Sequence, residues 1–541
     1  MHAFFIFQTN MTNQIHKLLL LIVATFITGS AYAYDAQIDG IYYNLDTDSQ
    51  TASVTSGNND YTGDVVIPAS VAYGGSTYSV TSIGDKAFYH CYELISVSIP
   101  EGVTEIGESA FEDCRGLTSI NIPSSVASIG SYAFNYCSGL TSINIPEGVT
   151  NIGNYAFDDC YGLTSINIPS SVTSIEGWPF YHCPGLTAIN VSSDNPAYCS
   201  IDGILYDKDI TTLIKYPEGK TGAVNIPSSV TYINTFERCS GLTAINVSPD
   251  NPAYCSIDGI LYDKDKTTLI QCPRGKTGSV DIPEGVTGIE GLAFYYCSGL
   301  TSVNIPSSVT SFGVYAFRGC RGLTSIHIPE GVTSIEEGAF EECSGLTSVK
   351  IPSSVTSIGL EAFYNCSGLT SVNIPEGVTR IAEYTFYGCY KLVSVSIPSS
   401  VTSIGEGAFQ RCSALTSINI PEGVTNISAS AFSFCDNLST IYSFNPVPPT
   451  ASPGCFNYNH YQSATLYVPQ EALDAYQAAD IWSNFANIQG FDPTGIKGIE
   501  AEDGNLPVAY YDTNGRKYDE PQKGLNIVRY SDGSVRKVMM K

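Results

Sequence analysis

The chain has 541 residues, of which only 14% are charged, and 52 acids against 25 bases leave a formal charge of −27. That balance excludes DNA or RNA, which are bound mainly through Lys and Arg, as the expected partner. Six histidines and two tryptophans are few for an enzyme of this length, and 43% hydrophobic content fits neither a disordered chain nor a polytopic membrane protein.

His16-Lys17 precede an apolar run from Leu18 to Ile27, then Thr28-Gly29-Ser30 and Ala31-Tyr32-Ala33. This order predicts a secretory signal peptide over 1–33, cut before Tyr34, with Met11 as a plausible start. The run is too short to span a bilayer, so the mature protein is expected outside the cell, on its outer surface or secreted. Residues 34–64, with Asp39-Gly-Ile-Tyr-Tyr43, predict an N-terminal cap of short strands over the first coil of a repetitive region.

From 65 to 445 one unit is copied. Leu117, Ile120, Ile122, Pro123, Val126, Ile129, Gly130, Ala133, Phe134 and Cys137 return 23 residues later as Leu140 through Cys160, and Phe-x-x-Cys occurs thirteen times. Pro-Glu-Gly alternates with Pro-Ser-Ser, which points to a duplicated pair of repeats. Ile120 and Ile122 face inward, and Ser119 and Asn121 take the opposite face of the strand. Proline ends the strand, Val126 and Ile129 form a second short apolar element, Gly130 permits a turn, and Ala133-Phe134 with Cys137 fills the far corner. One copy cannot enclose these side chains; copies stacked ~4.8 Å apart can. The fold class is therefore a β-rich solenoid with one parallel strand per repeat on its concave face.

Two inserts, 192–224 and 248–280, each carry Asp-Asn-Pro-Ala-Tyr-Cys-Ser-Ile-Asp-Gly-Ile-Leu-Tyr-Asp-Lys-Asp and predict a hairpin, Ile204–Tyr206 with Thr212–Tyr216 in the first. Residues 446–492 predict a C-terminal cap, with helical spacing from Asp474 to Trp482 and Trp482 as a plug. In 493–541, three β-runs separated by Asn-Gly, Lys-Gly and Asp-Gly turns predict a small antiparallel module.

Thirteen of the 17 cysteines share one repeat position and are expected as a ladder of buried thiols beside Phe. Cys199, Cys255, Cys272 and Cys455 lie outside it, and a Cys199–Cys255 bridge stays open. His90 and His182 precede the ladder Cys, where other coils carry Asp, Arg, Gly or Asn, which predicts an exposed, tolerant slot. No catalytic, metal or cofactor spacing is found, and an enzyme is not expected. What remains is surface. On a solenoid, columns of outward side chains make an extended concave face. Here they are Ser119, Ser142 and Ser165 beside Asn121, Asn144 and Asn167, continued by Asn190, Asn246, Asn304, His327, Lys350 and Asn373. Ser and Asn offer uncharged donors and acceptors suited to protein backbone or glycan hydroxyls. Tyr132, Tyr155, Tyr315 and Tyr384 add contact area near the turns.

The pattern Leu-x-x-Ile-x-Ile-Pro-x-x-Val-x-x-Ile-Gly-x-x-Ala-Phe-x-x-Cys resembles the BspA-like leucine-rich repeats of bacterial surface proteins. The resemblance implies a curved, right-handed leucine-rich-repeat solenoid and adhesion to host matrix proteins, cell surfaces or other microbes, with glycan capture as the alternative. The tail, through Tyr511-Asp512-x-x-Gly515-Arg516, Lys523-Gly524-x-x-Ile527-Val528 and the final Lys541, resembles the Bacteroidetes type IX secretion sorting domain. That implies the secretion machinery as a further partner.

Overall fold

The computed structural model describes residues 34–491, apart from 59 and 235, and the backbone of the strands Pro507–Tyr511, Lys517–Tyr518, Gly524–Tyr530 and Val535–Met540. The signal peptide expected over 1–33 lies outside the described residues. The chain divides into two compact units. The first holds the chain up to Gly222 with Ser229–Gly241, and the second holds Ala223–Ser228 with the chain from Leu242.

In the first unit Ser142–Asn144, Ser165–Ile168 and Ala188–Val191 pair parallel and in register as the long ladder, so that Asn144, Asn167 and Asn190 stand opposite one another. In the second, Ser325–His327, Ser348–Lys350, Ser371–Asn373 and Ser394–Ser396 do the same. Period-two alternation buries Ile143, Ile166 and Ile326 and leaves Asn144, Asn167 and His327 outside.

Besides the one parallel strand expected on the face of the Asn column, each coil carries a second, shorter parallel strand. Glu105–Ile106, Ser128–Ile129, Asn151–Ile152 and Ser174–Ile175 form a second ladder. Val126 and Ile129 are both fully buried. The extended backbone between them must find partners for its N–H and C=O groups, and the adjacent coil supplies them. Gly130 also has a different role from the turn expected of it. A Cβ there would come within 2.6 Å of the backbone of Gly107, and at Gly359 within 2.7 Å of Glu337, without a left-handed φ at either. Glycine is required for close stacking of coil on coil.

The third side of the coil is the turn edge that holds Ala-Phe-x-x-Cys. Its N–H groups donate to the next coil, as Phe111 to Ala133 at 2.8 Å and Asp113 to Asn135 at 2.7 Å. The Phe rings stack with centroids 4.8 Å apart for Phe88–Phe111 and 5.3 Å for Phe317–Phe340 and Phe340–Phe363. All 17 cysteines are free thiols. The ladder thiols do more than pack: Cys137 Sγ donates to the Phe111 carbonyl at 3.1 Å, and Cys320 Sγ to that of Phe294 at 3.1 Å. Each gives a buried carbonyl a second donor. Cys199 and Cys255 donate within their own hairpins, to the carbonyls of Asp207 and Asp263.

The slot before the ladder Cys is left-handed in successive coils, with φ of 62° at His90 and Asp113, 58° at Tyr136, 56° at Asp159 and 53° at His182. That conformation favours Asp, Asn, Gly and His. The slot is not uniformly exposed, since Asp113 and Asp159 are 7% and 3% accessible. The expectation of a tolerant position mistook a backbone demand for freedom.

The inserts attach through Asn195 and Asn251, both fully buried. Asn195 donates to the carbonyls of Pro169 and Val172 and accepts from the N–H groups of Ala197 and Tyr198. Each insert is a three-stranded antiparallel meander, Tyr198–Ile201, Ile204–Asp207 and Thr212–Lys215 in the first. The coil that would follow His182 is displaced by the insert, and Glu218 accepts the His182 N–H at 3.0 Å in place of a backbone carbonyl. Lys215, at 3.0 Å, neutralises that buried carboxylate.

At the N-terminal end Ala36–Ile38, Ile41–Asp46 and Thr51–Thr55 pair antiparallel, and the last joins the ladder. At the C-terminal end Thr440–Ser443, Thr465–Pro469 and Asn487–Phe491 extend the long ladder in parallel. The continuous helix expected from Asp474 to Trp482 is shorter: Leu473–Ala478 is helical, the extended backbone of Ala479 ends it, and Ile481, at φ 68°, leads into the 3-10 turn Trp482–Asn484. Trp482 is fully buried and donates to the Pro449 carbonyl at 2.8 Å. In the tail, the strands order as Lys517–Tyr518, Pro507–Tyr511, Gly524–Tyr530 and Val535–Met540, all antiparallel.

Candidate binding surfaces

The long ladder exposes the columns expected of it. Of the twelve column residues, from Ser119 to Asn373, eleven are exposed and Ser165 is half-buried. His327 stands opposite Lys350, and Asn373 opposite Ser396. The amides are partly spent on one another. Asn190 Nδ2 donates to Asn167 Oδ1 at 3.0 Å and Asn246 to Asn225 at 3.1 Å, while Asn304 donates to Asp281. In each such pair the donating amide keeps one N–H and its carbonyl lone pairs for solvent or a partner. An outer rail of hydroxyls runs beside them: Thr164 Oγ1 donates to the Thr141 carbonyl at 3.3 Å, and Thr187 to Thr164 at 3.1 Å.

Asn144, Asn167, Asn190 and Glu147 line an open groove of about 570 Å³ in the first unit. The Glu147 carboxylate accepts from Ser170 N–H and Oγ and from Ser171 N–H, which holds it below the usual carboxylate range. The groove thus offers amides along its floor and one fixed negative charge.

The turn edge carries the remaining chemistry. His182 Nδ1 lies 3.2 Å from Asp159, and Asp158, Asp159 and His182 place ligand atoms within 4.8 Å of one another. Burial first, then the neighbouring Asp159, pushes Asp158 up to about 6. A divalent cation would find three donors here, but Asp159 is already engaged by His182 and by Tyr161 Oη at 2.7 Å.

Residues 77–198, 273–393 and 336–463 match, in six copies, the family model described as a BspA type leucine rich repeat region. The chain belongs to this BspA-type leucine-rich repeat family. It is 31% identical to a leucine rich cell surface protein of Faecalibacterium prausnitzii, over 75% of this chain and 94% of that one, with a TM-score of 0.46. It is 27% identical to a leucine-rich repeat protein of Bacteroides ovatus, over 85% and 100%, with a TM-score of 0.36. No curated protein matches the chain. No helix among the described residues is long and apolar enough to cross a membrane.

Two features of this BspA-type chain escaped sequence reasoning. The approach of His182 to Asp159 spans 23 residues, a distance set by stacking and invisible as a local motif. Toward the C-terminal end the Asn column passes through Tyr442 and Tyr467, stacked at 4.7 Å, to Gln489. Only the parallel register, continued through the cap, puts them in one file.

Proposed function

We propose that this is a non-enzymatic protein of the outer cell surface, or a secreted one, that binds macromolecules through the long-ladder face of its coils. The reading rests on one observation: the columns through Asn121, Asn144 and Asn167 are exposed, uncharged and repeated coil by coil. Extended solenoid faces of this kind are binding surfaces in repeat proteins. The partners it favours are host matrix or cell-surface proteins, or other microbial surfaces. No cofactor enters the reading. Substituting Asn121→Asp, Asn144→Asp and Asn167→Asp should weaken capture of matrix proteins sharply while the melting temperature shifts little. Retained capture would remove the ladder face from the reading. A glycan array run beside the protein panel decides between adhesion and glycan capture.

The address belongs to the same proposal. The segment 1–33 acts as the export signal and 493–541 as a sorting module read by the secretion machinery. Deleting 493–541 should leave the coils folded and strand them within the envelope; unchanged surface display would refute the sorting role.

A further inference from the structure

The coils are near-copies, and the places where they differ carry information. Leu-Thr-Ser, the inward Ile or Val, Asn and Pro recur along the long ladder, and Val-Thr-Ser-Ile-Gly along the short one. Variation gathers at two positions before Ala-Phe, two between Phe and Cys, and one after Cys. All of these lie on the turn edge. A face that repeats the same Ser-Asn pair offers a partner the same contact at each step of ~4.8 Å. Discrimination between partners has to come from positions that change.

Tolerance alone would fill exposed turns with small or charged residues. In the first unit the edge instead holds large rings: Tyr92, Tyr136 and Tyr161 are 46%, 42% and 50% accessible. Buried carboxylates sit beside them. The edge also shows what such a pairing is for. Arg115 binds Asp113 at 2.6 Å while its guanidinium lies 5.4 Å from the Tyr92 ring. Two coils on, Asp159 repeats the place of Asp113 and has Tyr161 and Tyr136 for company, but the residue that would be the arginine is Tyr161 itself. Among the described residues no Lys or Arg pairs with Asp158 or Asp159; the imidazole of His182 is the sole basic group paired with the second. Asp158 Oδ1 is sealed from solvent and makes no hydrogen bond.

We propose that the turn edge around Tyr136, Tyr161, Asp158 and Asp159 is a second binding surface, and that it takes Arg or Lys side chains of a partner protein. A cation over a Tyr ring is held by the ring's negative face, and the flanking rings shed water from it. Asp159, buried and already bound by His182 and Tyr161, and the half-buried Asp158 place negative charge beneath the rings, which strengthens the attraction through the field rather than through a direct hydrogen bond. Tyrosine gives this contact at low cost in side-chain entropy. The surface is separate from the ladder face and does not rest on that reading.

The test uses the full chain and a fluorescent Gly-Arg-Gly-Arg-Gly peptide, with its citrulline counterpart as the uncharged control, in about 0.15 M salt so that long-range attraction is screened. The Arg peptide should bind about tenfold more tightly than the citrulline one, and Tyr136→Ser with Tyr161→Ser should remove about that factor without changing net charge. Tyr136→Phe with Tyr161→Phe, which keeps both rings, should retain most of it. If the Ser pair fails to fold by circular dichroism, Asp158→Asn provides the same reading, with an expected loss of affinity. Equal binding by the Ser pair, or no preference for Arg over citrulline, overturns the proposal in favour of attraction to a polyanion. Loss of peptide binding on Asn144→Ala with Asn167→Ala would move the peptide to the ladder face and overturn it equally. Displacement of the peptide by millimolar Mn²⁺ alone, lost on His182→Ala, would make the cluster a metal site instead.

Discussion

The two units present the same coil with different edges. In the first, the exposed tyrosines sit beside Asp113, Asp158 and Asp159, with Arg115 over Tyr92 and Arg238 over the half-buried Tyr181. In the second, arginines cover more of the rings, and among its described residues no acid pair like Asp158 and Asp159 stands beside exposed tyrosines without one: Arg318 is 5.2 Å from Tyr315, Arg321 is 5.5 Å from Tyr296, and Arg411 is 5.8 Å from Tyr387. Glu341, 5% accessible, answers Arg318 at 3.0 Å. Beneath both edges the core is the same column of Phe and Cys. A coil whose inner positions are fixed can therefore exchange the polarity of its edge without repacking. Repeat architecture separates the residues that hold the fold from those that choose a partner.

That separation can be attacked from the core outward. Phe134→Ala in the first unit and Phe340→Ala in the second should each cost about 3–5 kcal/mol, because both rings are fully buried between parallel neighbours. Urea unfolding of the two variants should give similar losses; a large inequality would mean that the cores are not equivalent. Next, Gly130→Ala and Gly359→Ala should cost about 1–3 kcal/mol each, through Cβ contacts that the neighbouring backbone cannot yield to. A neutral result in thermal melts would break the stacking argument.

The buried edge acids sharpen the contrast through pH. Burial raises Asp158 from 3.8 to about 6 and Glu341 from 4.5 to about 7. The folded state therefore keeps a proton that the unfolded chain releases, so stability is full below the unfolded values and falls as pH rises. The first unit should lose stability between pH 3.8 and about 6, and the second between 4.5 and about 7. The slope should not exceed about 1.4 kcal/mol per pH unit for each group. Asp158→Asn should flatten the lower window and Glu341→Gln the upper; melts that stay unchanged across pH in the parent protein would refute both. Smallest is the thiol hydrogen bond. Cys160→Ala and Cys320→Ala should each cost about 1–2 kcal/mol, and Cys→Ser at the same sites less, because a hydroxyl still donates to the Phe carbonyl. Serine costing more than alanine would show that the column tolerates no polar donor.

The coil was legible because its signals repeat. Thirteen copies average away local accident, so Ile143, Phe134 and Cys137 could be placed in the core from spacing alone. The exposure of Asn121 and its column followed from simple alternation. The second ladder was not legible, since two residues such as Ser128-Ile129 are too short to show a period. Gly130 misled because glycine serves both left-handed turns and close approach, and only the neighbouring coil decides which. The edge pairings, His182 with Asp159 and Arg318 with Glu341, depend on which side chains meet across 23 residues. No local motif encodes that.

The thiol column has a consequence for measurement in time. Burial holds Cys343 at about 12, so its reactive thiolate is ~10⁻⁵ of the population at neutral pH. A water-soluble alkylating reagent can modify such a sulfur only during the moments when its coil has parted from its neighbours. Thirteen sulfurs at one position per repeat thus act as a row of clocks, each recording how often its own coil opens. Within each unit, the order in which they are labelled would trace fraying from coil to coil without any added probe.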